Sequence, residues 1–204
     1  MIRSWKNSST RQLWQHQKSG SLPGLDVGGA LNLLLALNIC RYPDDLVPLK
    51  SAGLRREKGS RAKRWTMKID GRWRIRFDSR KGDAFDVKVV GAKTDKASDK
   101  KRRGKITPGI IPAVHPGGLL KRELTARELS ASRLALDIGV PSGRITDILN
   151  ARRAITADTA VRLGRYLGMS AQFWCDLQSQ FDIAIVERKK GSEIGRRVRV
   201  AAAT

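Results

Sequence analysis

The sequence predicts two domains: a small α+β unit of two helices and a three-stranded antiparallel sheet, then an all-α unit. Three observations carry this. Apolar residues alternate with polar ones from Trp65 to Phe77, but recur at helical spacing beyond residue 110. Between these regions, residues 91–109 (GAKTDKASDKKRRGKITPG) are polar, charged and nearly free of large apolar side chains, as a flexible basic linker would be. Finally, 204 residues with 40% hydrophobic content suffice for two small cores.

Charge narrows the function classes. A net charge of +22 points to polyanionic partners: DNA, RNA or ribosomes. Residues 1–105 carry 26 Lys+Arg against 10 Asp+Glu, and residues 106–204 carry 15 against 9. The first half is the more basic and needs its own explanation. No apolar run reaches the roughly 18 residues of a membrane span. The N-terminus, MIRSWKNSSTRQLWQHQ, lacks the apolar core of a signal peptide. Cys40 and Cys175 read as buried free thiols in a reducing cytosol. With only two histidines they make no zinc set, and no metal or cofactor is expected.

In the first domain (residues 1–90), Ile2–Lys6 reads as a short strand or arm. A helix follows over residues 9–18, with Leu13 and Trp14 on one side. Asp26 caps a second helix running to about Cys40, with Leu31, Leu34, Leu35 and Leu37 giving it a broad apolar face. Pro43 and Pro48 mark a loop. Trp65, Met67 and Ile69 form one side of a strand. Asp70-Gly71 is a two-residue turn signal, and Trp73, Ile75 and Phe77 form the returning strand. A third strand runs from about Ala84 to Val90. Lys68, Arg74, Arg76 and Lys88 fall on the opposite sheet face, as a surface for an RNA backbone would have them.

KGSRAKRW, the hairpin TMKIDGRWRIRF and GDAFDVKVV together resemble the small ribosome-dependent RNase toxins of the RelE superfamily, HigB branch. The resemblance covers residues 1–90. It implies RNA or ribosome binding through Lys58, Arg61, Arg64 and Arg74, which would stabilise charge during messenger cleavage. It also implies loss of that cleavage. Arg55 stands where the family commonly has a loop histidine, and guanidinium does not exchange protons near neutral pH. The last strand runs AFDVKVV into GAKTDKAS, without the family's terminal Tyr-His. His16 is the one histidine left in this half.

The second domain (residues 110–185) opens with His115-Pro116-Gly117 before Leu119-Leu120, the start of a helix, where His115 reads as a capping or packing residue. Residues 129–150, LSASRLALDIGVPSGRITDILN, form its centre. Leu134, Ala135 and Ile138 share one helix face, and Ile145, Ile148 and Leu149 share another. Gly139 allows the sharp turn between them. Ala135 lets the second helix cross closely, and Val140 fills the corner. This is the spacing of a DNA-binding helix-turn-helix. Pro141 is placed at the first turn of its second helix. Thr156 caps a helix to Leu167, and Ser170 caps a last one. Phe173, Trp174, Leu177 and Phe181 lie along one face of it. Residues 186–204 read as a disordered basic tail.

HPGGLL, the helix-turn-helix, ILNARRAIT and FWCDLQSQFDI resemble the HigA antitoxins of the Xre/Cro group. One departure is Ala151, where that family usually has glycine. The resemblance implies double-stranded operator DNA as partner and a homodimer through Trp174, Leu177 and Phe181. Ser142, Gly143, Arg144 and Thr146 are early enough in the second helix to reach bases, while Arg152 and Arg153 would hold phosphates.

Toxin-like and antitoxin-like halves in one frame read as a fused toxin–antitoxin protein, cytoplasmic and nucleoid-associated, that autoregulates its own transcription. The competing enzyme reading is a ribosome-dependent messenger endoribonuclease neutralised in cis. A plain RNA-binding interaction protein is a third.

Overall fold

The computed structural model describes residues 1–57, 64–91, 104–105, 111–199 and 201. The chain begins with strand β1 (Ser4–Trp5), helix α1 (Ser8–His16) and helix α2 (Val27–Ile39). Asn7 caps α1 by accepting from the Thr10 amide, and Asp26 caps α2 by accepting from the Gly29 amide. Two short 3-10 helices follow, Pro43–Leu46 and Lys50–Ala52. Then come strands β2 (Arg55–Arg56), β3 (Arg64–Lys68), β4 (Trp73–Arg80), β5 (Asp83–Gly91) and β6 (Gly104–Lys105). The second half is all helical: α3 (Pro116–Ala126), α4 (Ala131–Asp137), α5 (Ser142–Leu149), α6 (Ala157–Leu167) and α7 (Ala171–Arg197).

The expected three-stranded meander is present as β3-β4-β5, but the sheet has six strands, in the order β2-β3-β4-β5-β1-β6. β2 adds antiparallel to β3, and β1 lies parallel to β5 with Trp5 opposite Val87. β1, β2 and β6 are two residues each, too short to show a hydrophobic period. β6 pairs with β1 and falls inside the segment expected to be a flexible linker. The rest of that segment to residue 110, apart from Gly91, lies outside the described residues.

The first hairpin turn differs from the sequence expectation. Asp70-Gly71 does not form a two-residue turn. The Asp70 carboxylate accepts from the Arg72 and Trp73 amides at 2.7 Å each, which widens the connection to Ile69–Arg72. The tight turn is at Lys81-Gly82, where both residues have positive φ (51° and 87°) between the paired Arg80 and Asp83.

α2 is the centre of the molecule. Every residue from Gly29 to Leu37 is buried, so it is covered all round rather than along one face. α1 and the sheet cover part of it, and α3 and α7 of the second half cover the rest. The two halves therefore share one hydrophobic core. α3 approaches α2 closely at Gly118, where a Cβ would lie 2.7 Å from Asn32 Nδ2. Gly117, beside it, abuts the Ile148 carbonyl of α5 in the same way. His115 caps α3, its Nδ1 accepting from the Gly117 amide at 3.0 Å, while its ring meets Phe181 edge-on at 5.0 Å. Burial holds its imidazole below the usual range, against the opposing pull of Asp182.

A polar seam joins the halves. Glu123 on α3 is fully buried. Its carboxylate accepts from the Lys50 amide (3.0 Å), the Ser51 amide (2.9 Å) and Arg127 Nε (2.7 Å). Arg127 in turn donates to the Pro48 and Leu167 carbonyls. Arg122 donates to Asp26 and to the Ile69 carbonyl. Each charge is matched by several hydrogen bonds, the condition under which a buried ion pair is tolerated.

α7 corrects the expected disordered tail. It continues helical to Arg197, twelve residues past Ile185. The Glu193–Arg197 pair at 2.8 Å supports it one turn apart, and Ala184 is buried beneath it. The run of charges that suggested disorder is the solvated side of a helix.

Candidate nucleic-acid interface

α4 and α5 meet through the turn Ile138–Pro141. Gly139 has φ +67°, the left-handed conformation expected of it. The Gly139 amide donates to Leu136 O (3.1 Å) and the Val140 amide to Ala135 O (2.9 Å). Leu134, Ala135, Ile145 and Ile148 are all buried between the helices, as their spacing required. Pro141 sits one position earlier than expected, at the N-cap of α5 rather than in its first turn. It offers no capping side chain, so the helix start is left open to an outside acceptor.

The early residues of α5 divide in two. Ser142, Gly143 and Thr146 are exposed, and Thr146 Oγ1 donates back to Ser142 O at 3.2 Å. A Cβ built on Gly143 would meet nothing within 4 Å, so no internal packing demands glycine there. Arg144 turns the other way. Its Nη1 lies 2.9 Å from Asp158 Oδ2 at the start of α6, and it is held there rather than displayed.

Asp158 belongs to a clamp not foreseen from the sequence. Arg162 Nε donates to its second oxygen at 2.9 Å, and Arg162 Nη1 donates to Ile138 O at 2.8 Å. The turn of the motif is thereby tied to α6. These guanidiniums, Arg162 first, hold the Asp158 carboxyl below its usual range. A second tie joins α4 to α6: Tyr166 donates to Asp137 Oδ2 at 2.7 Å, and Arg133 pairs with the same carboxylate. The i,i+4 spacing of Asp158–Arg162 and Arg133–Asp137 was the available signal.

α5 ends in a left-handed corner. The Ala151 amide donates to Ile148 O (3.0 Å) and the Arg152 amide to Asp147 O (2.8 Å), with Ala151 at φ +57°. This is a Schellman ending, normally closed by glycine. It sets Arg152 and Arg153 in the exposed loop that follows, with Arg153 Nε 3.8 Å from Asp147.

The other expected sites fare differently. Lys58 and Arg61 lie outside the described residues. Arg64 is engaged by Asp78 (3.1 Å) and Glu57 (3.9 Å). Arg74 is exposed, without an ion pair among the described residues, and lines a cavity of about 320 Å³ with Gly53, Arg55, Thr66, Lys68 and Gly71. Arg76 on the same sheet pairs with Glu57 at 2.8 Å. The α7 face proposed for dimerisation is corrected: Trp174 and Leu177 are fully buried and Phe173 nearly so. They fill the core under α6 and α2, out of reach of a second chain. Phe181 is half-buried against His115. No group of His, Cys, Asp and Glu that could hold a metal occurs among the described residues. Cys40 and Cys175 are free thiols, and burial pushes the Cys40 thiol up to about 12. No described helix is long and apolar enough to cross a membrane.

Residues 120–174, spanning α3 to the start of α7, match the helix-turn-helix family HTH_3. The chain is 45% identical over 83 residues to Virulence-associated protein I of Dichelobacter nodosus, covering 40% of this chain and 77% of that protein. Through its C-terminal half, the chain belongs to this helix-turn-helix family. Solved structures are also similar to part of the chain. An addiction module antidote protein of a HigA family from Coxiella burnetii is 39% identical (45% of this chain, 100% of that one, TM-score 0.43). A Pseudomonas aeruginosa antitoxin HigA, solved with the higBA promoter, is 36% identical (45% and 100%, TM-score 0.43). The family's helix-turn-helix is formed here by α4 and α5.

Proposed function

We propose that the chain is a fused toxin–antitoxin protein whose C-terminal half binds operator DNA and autoregulates transcription on the nucleoid. The observation that carries this reading is α5: an uncapped helix start with Ser142, Gly143 and Thr146 exposed, in a motif whose turn and α4 are each tied to α6 by a polar contact. The sequence identity with an antitoxin HigA solved with its promoter supports it. In this reading Gly143 admits the α5 backbone close to a base, Thr146 contributes to base preference, and Arg152 and Arg153 hold phosphates. Arg144 reaches DNA by leaving Asp158. A homodimer would place two α5 helices in half-sites about one helical turn apart. With Trp174 and Leu177 buried, its contact falls to Phe181 and to the exposed Ile183 and Val186 beyond it on α7.

The test is binding of the purified chain to its own promoter and to random DNA at moderate salt. Preference for the promoter is expected. Arg152→Ala should weaken binding equally on both, and Thr146→Ala should change the preferred sequence. Equal affinity of the unsubstituted chain for both DNAs would overturn the reading.

The N-terminal half is, in this proposal, a toxin-like domain that contacts RNA or the ribosome without cutting. The observation favouring it is the cavity at Arg74, whose lining among the described residues contains no histidine, carboxylate or tyrosine. Cations there can hold phosphate, while the side chains that most often serve as general acids and bases are missing from that described lining. The test compares the full chain with an Arg122→Ala, Glu123→Ala variant, opened at the seam, on programmed ribosomes. Neither should cut. Codon-dependent cuts by the variant alone would favour a nuclease neutralised in cis.

A further inference from the structure

We propose that the cavity at the seam between the two halves binds a small polyphosphate, a compact anion of two or three linked phosphates such as a nucleoside di- or triphosphate carries. The cavity has a volume of about 510 Å³. Lys50, Ser51 and Lys68 line it from the N-terminal half, and Lys121, Arg122 and Thr125 line it from α3.

Its lining is strongly cationic. Lys50, Lys68 and Lys121 have no ion pair among the described residues, yet they converge on one cavity. The one carboxylate in the lining, Asp70, is turned into its own loop by the Arg72 and Trp73 amides. Lys68 also stands directly opposite Arg74 in the β3–β4 register. Like charges so placed destabilise a sheet, so folding does not account for them.

Two lining residues also carry unmet hydrogen-bonding groups. Ser51 Oγ and Arg122 Nε are both buried without a partner, although Arg122 Nη1 and Nη2 are engaged. Both atoms belong to lining residues but lie beneath the cavity surface, so the cationic side chains, not these atoms, carry the recognition. The size suits a small molecule, since such sites run from about 300 to 1,000 Å³. Lysine ammoniums on two facing walls suit a compact, multiply charged group better than singly charged phosphodiesters spaced along a strand. Because the walls come from both halves, the ligand recognises only their docked arrangement and strengthens it by mass action.

The test uses the full chain, with inorganic tripolyphosphate as probe, by calorimetric titration near physiological salt. One equivalent should bind and raise the thermal midpoint. A Lys50→Ala, Lys121→Ala variant should bind at least tenfold more weakly. A Lys189→Ala, Lys190→Ala variant on α7, with the same loss of charge, should bind normally. Promoter binding by all three proteins shows that they are folded, and thermal unfolding shows it if the DNA reading itself fails. ATP binding as tightly as tripolyphosphate would support recognition of the phosphates alone, and tighter ATP binding would support a nucleotide. The proposal is overturned if the Lys50/Lys121 variant binds like the unsubstituted chain, or if both variants weaken equally. It is overturned too if a short single-stranded RNA displaces the probe and depends more strongly on Lys50 and Lys121.

Discussion

Replacing Ala151 by glycine should stabilise this protein. Ala151 closes α5 at φ +57°, where its Cβ crowds the backbone. That conformation costs a residue with a side chain about 1–2 kcal/mol, and glycine almost nothing. Glycine gains freedom in the unfolded chain, which offsets about 0.4–1 kcal/mol. The side chain is exposed, so its removal opens no cavity. The net expectation is a gain of roughly 0.5–1 kcal/mol, or about 1–4 °C in thermal midpoint for a chain of this size. Differential scanning calorimetry at two scan rates would measure it, with urea unfolding as the check. The amides of residues 151 and 152 keep their bonds to Ile148 and Asp147, so affinity for promoter DNA should stay within twofold. Ala151→Val should move the midpoint the other way. A midpoint that is unchanged or lowered in the glycine variant would refute the claim that the corner is strained.

Glu123→Ala leaves Arg127 without its buried partner and frees the Lys50 and Ser51 amides, and should cost about 3–5 kcal/mol in urea unfolding. A loss under 1 kcal/mol would mean that the seam contributes little to folding. Leu177→Ala should lower the thermal midpoint, by about 2–5 kcal/mol in stability, at any protein concentration, since Leu177 is core. Loss of association without loss of stability would return it to an interface. The Asp158 carboxyl is held down by Arg162 and Arg144, so its stabilisation is present above the unfolded carboxylate value, near 4, and fades as pH falls through the lower folded value. Asp158→Asn should therefore flatten stability against pH in that acidic window and nowhere above it; an equal slope in both proteins would count against the clamp.

Local rules read well where a residue's role is set by its neighbours in sequence. Asp26, Thr156 and Ser170 cap helices by accepting from an amide three residues on, and Gly139 and Gly168 end helices in left-handed turns. The α4–α5 pair read well because its apolar residues meet across only a few positions. What was missed is long-range. β1 pairs with β5 more than eighty residues away, and two residues cannot show a period. Asp70 looked like a turn former for its backbone but acts through its side chain. Trp174 and Leu177 looked like a free face because the covering helix, α2, lies more than 130 residues upstream. Among the residues proposed to reach DNA, the pairing of Arg144 was not legible because its partner Asp158 stands on the next helix.

The burial of α2 by elements from both ends of the chain has a consequence for synthesis. The ribosome makes this leucine-rich helix first and the helices that complete its cover last. At roughly 5–20 residues per second, α2 waits on the order of ten seconds for α3 and α7 to emerge. During that interval the nascent chain offers a sticky, uncovered leucine surface to chaperones. A message broken between the two halves would yield a product that keeps that surface for good, and quality control would remove it.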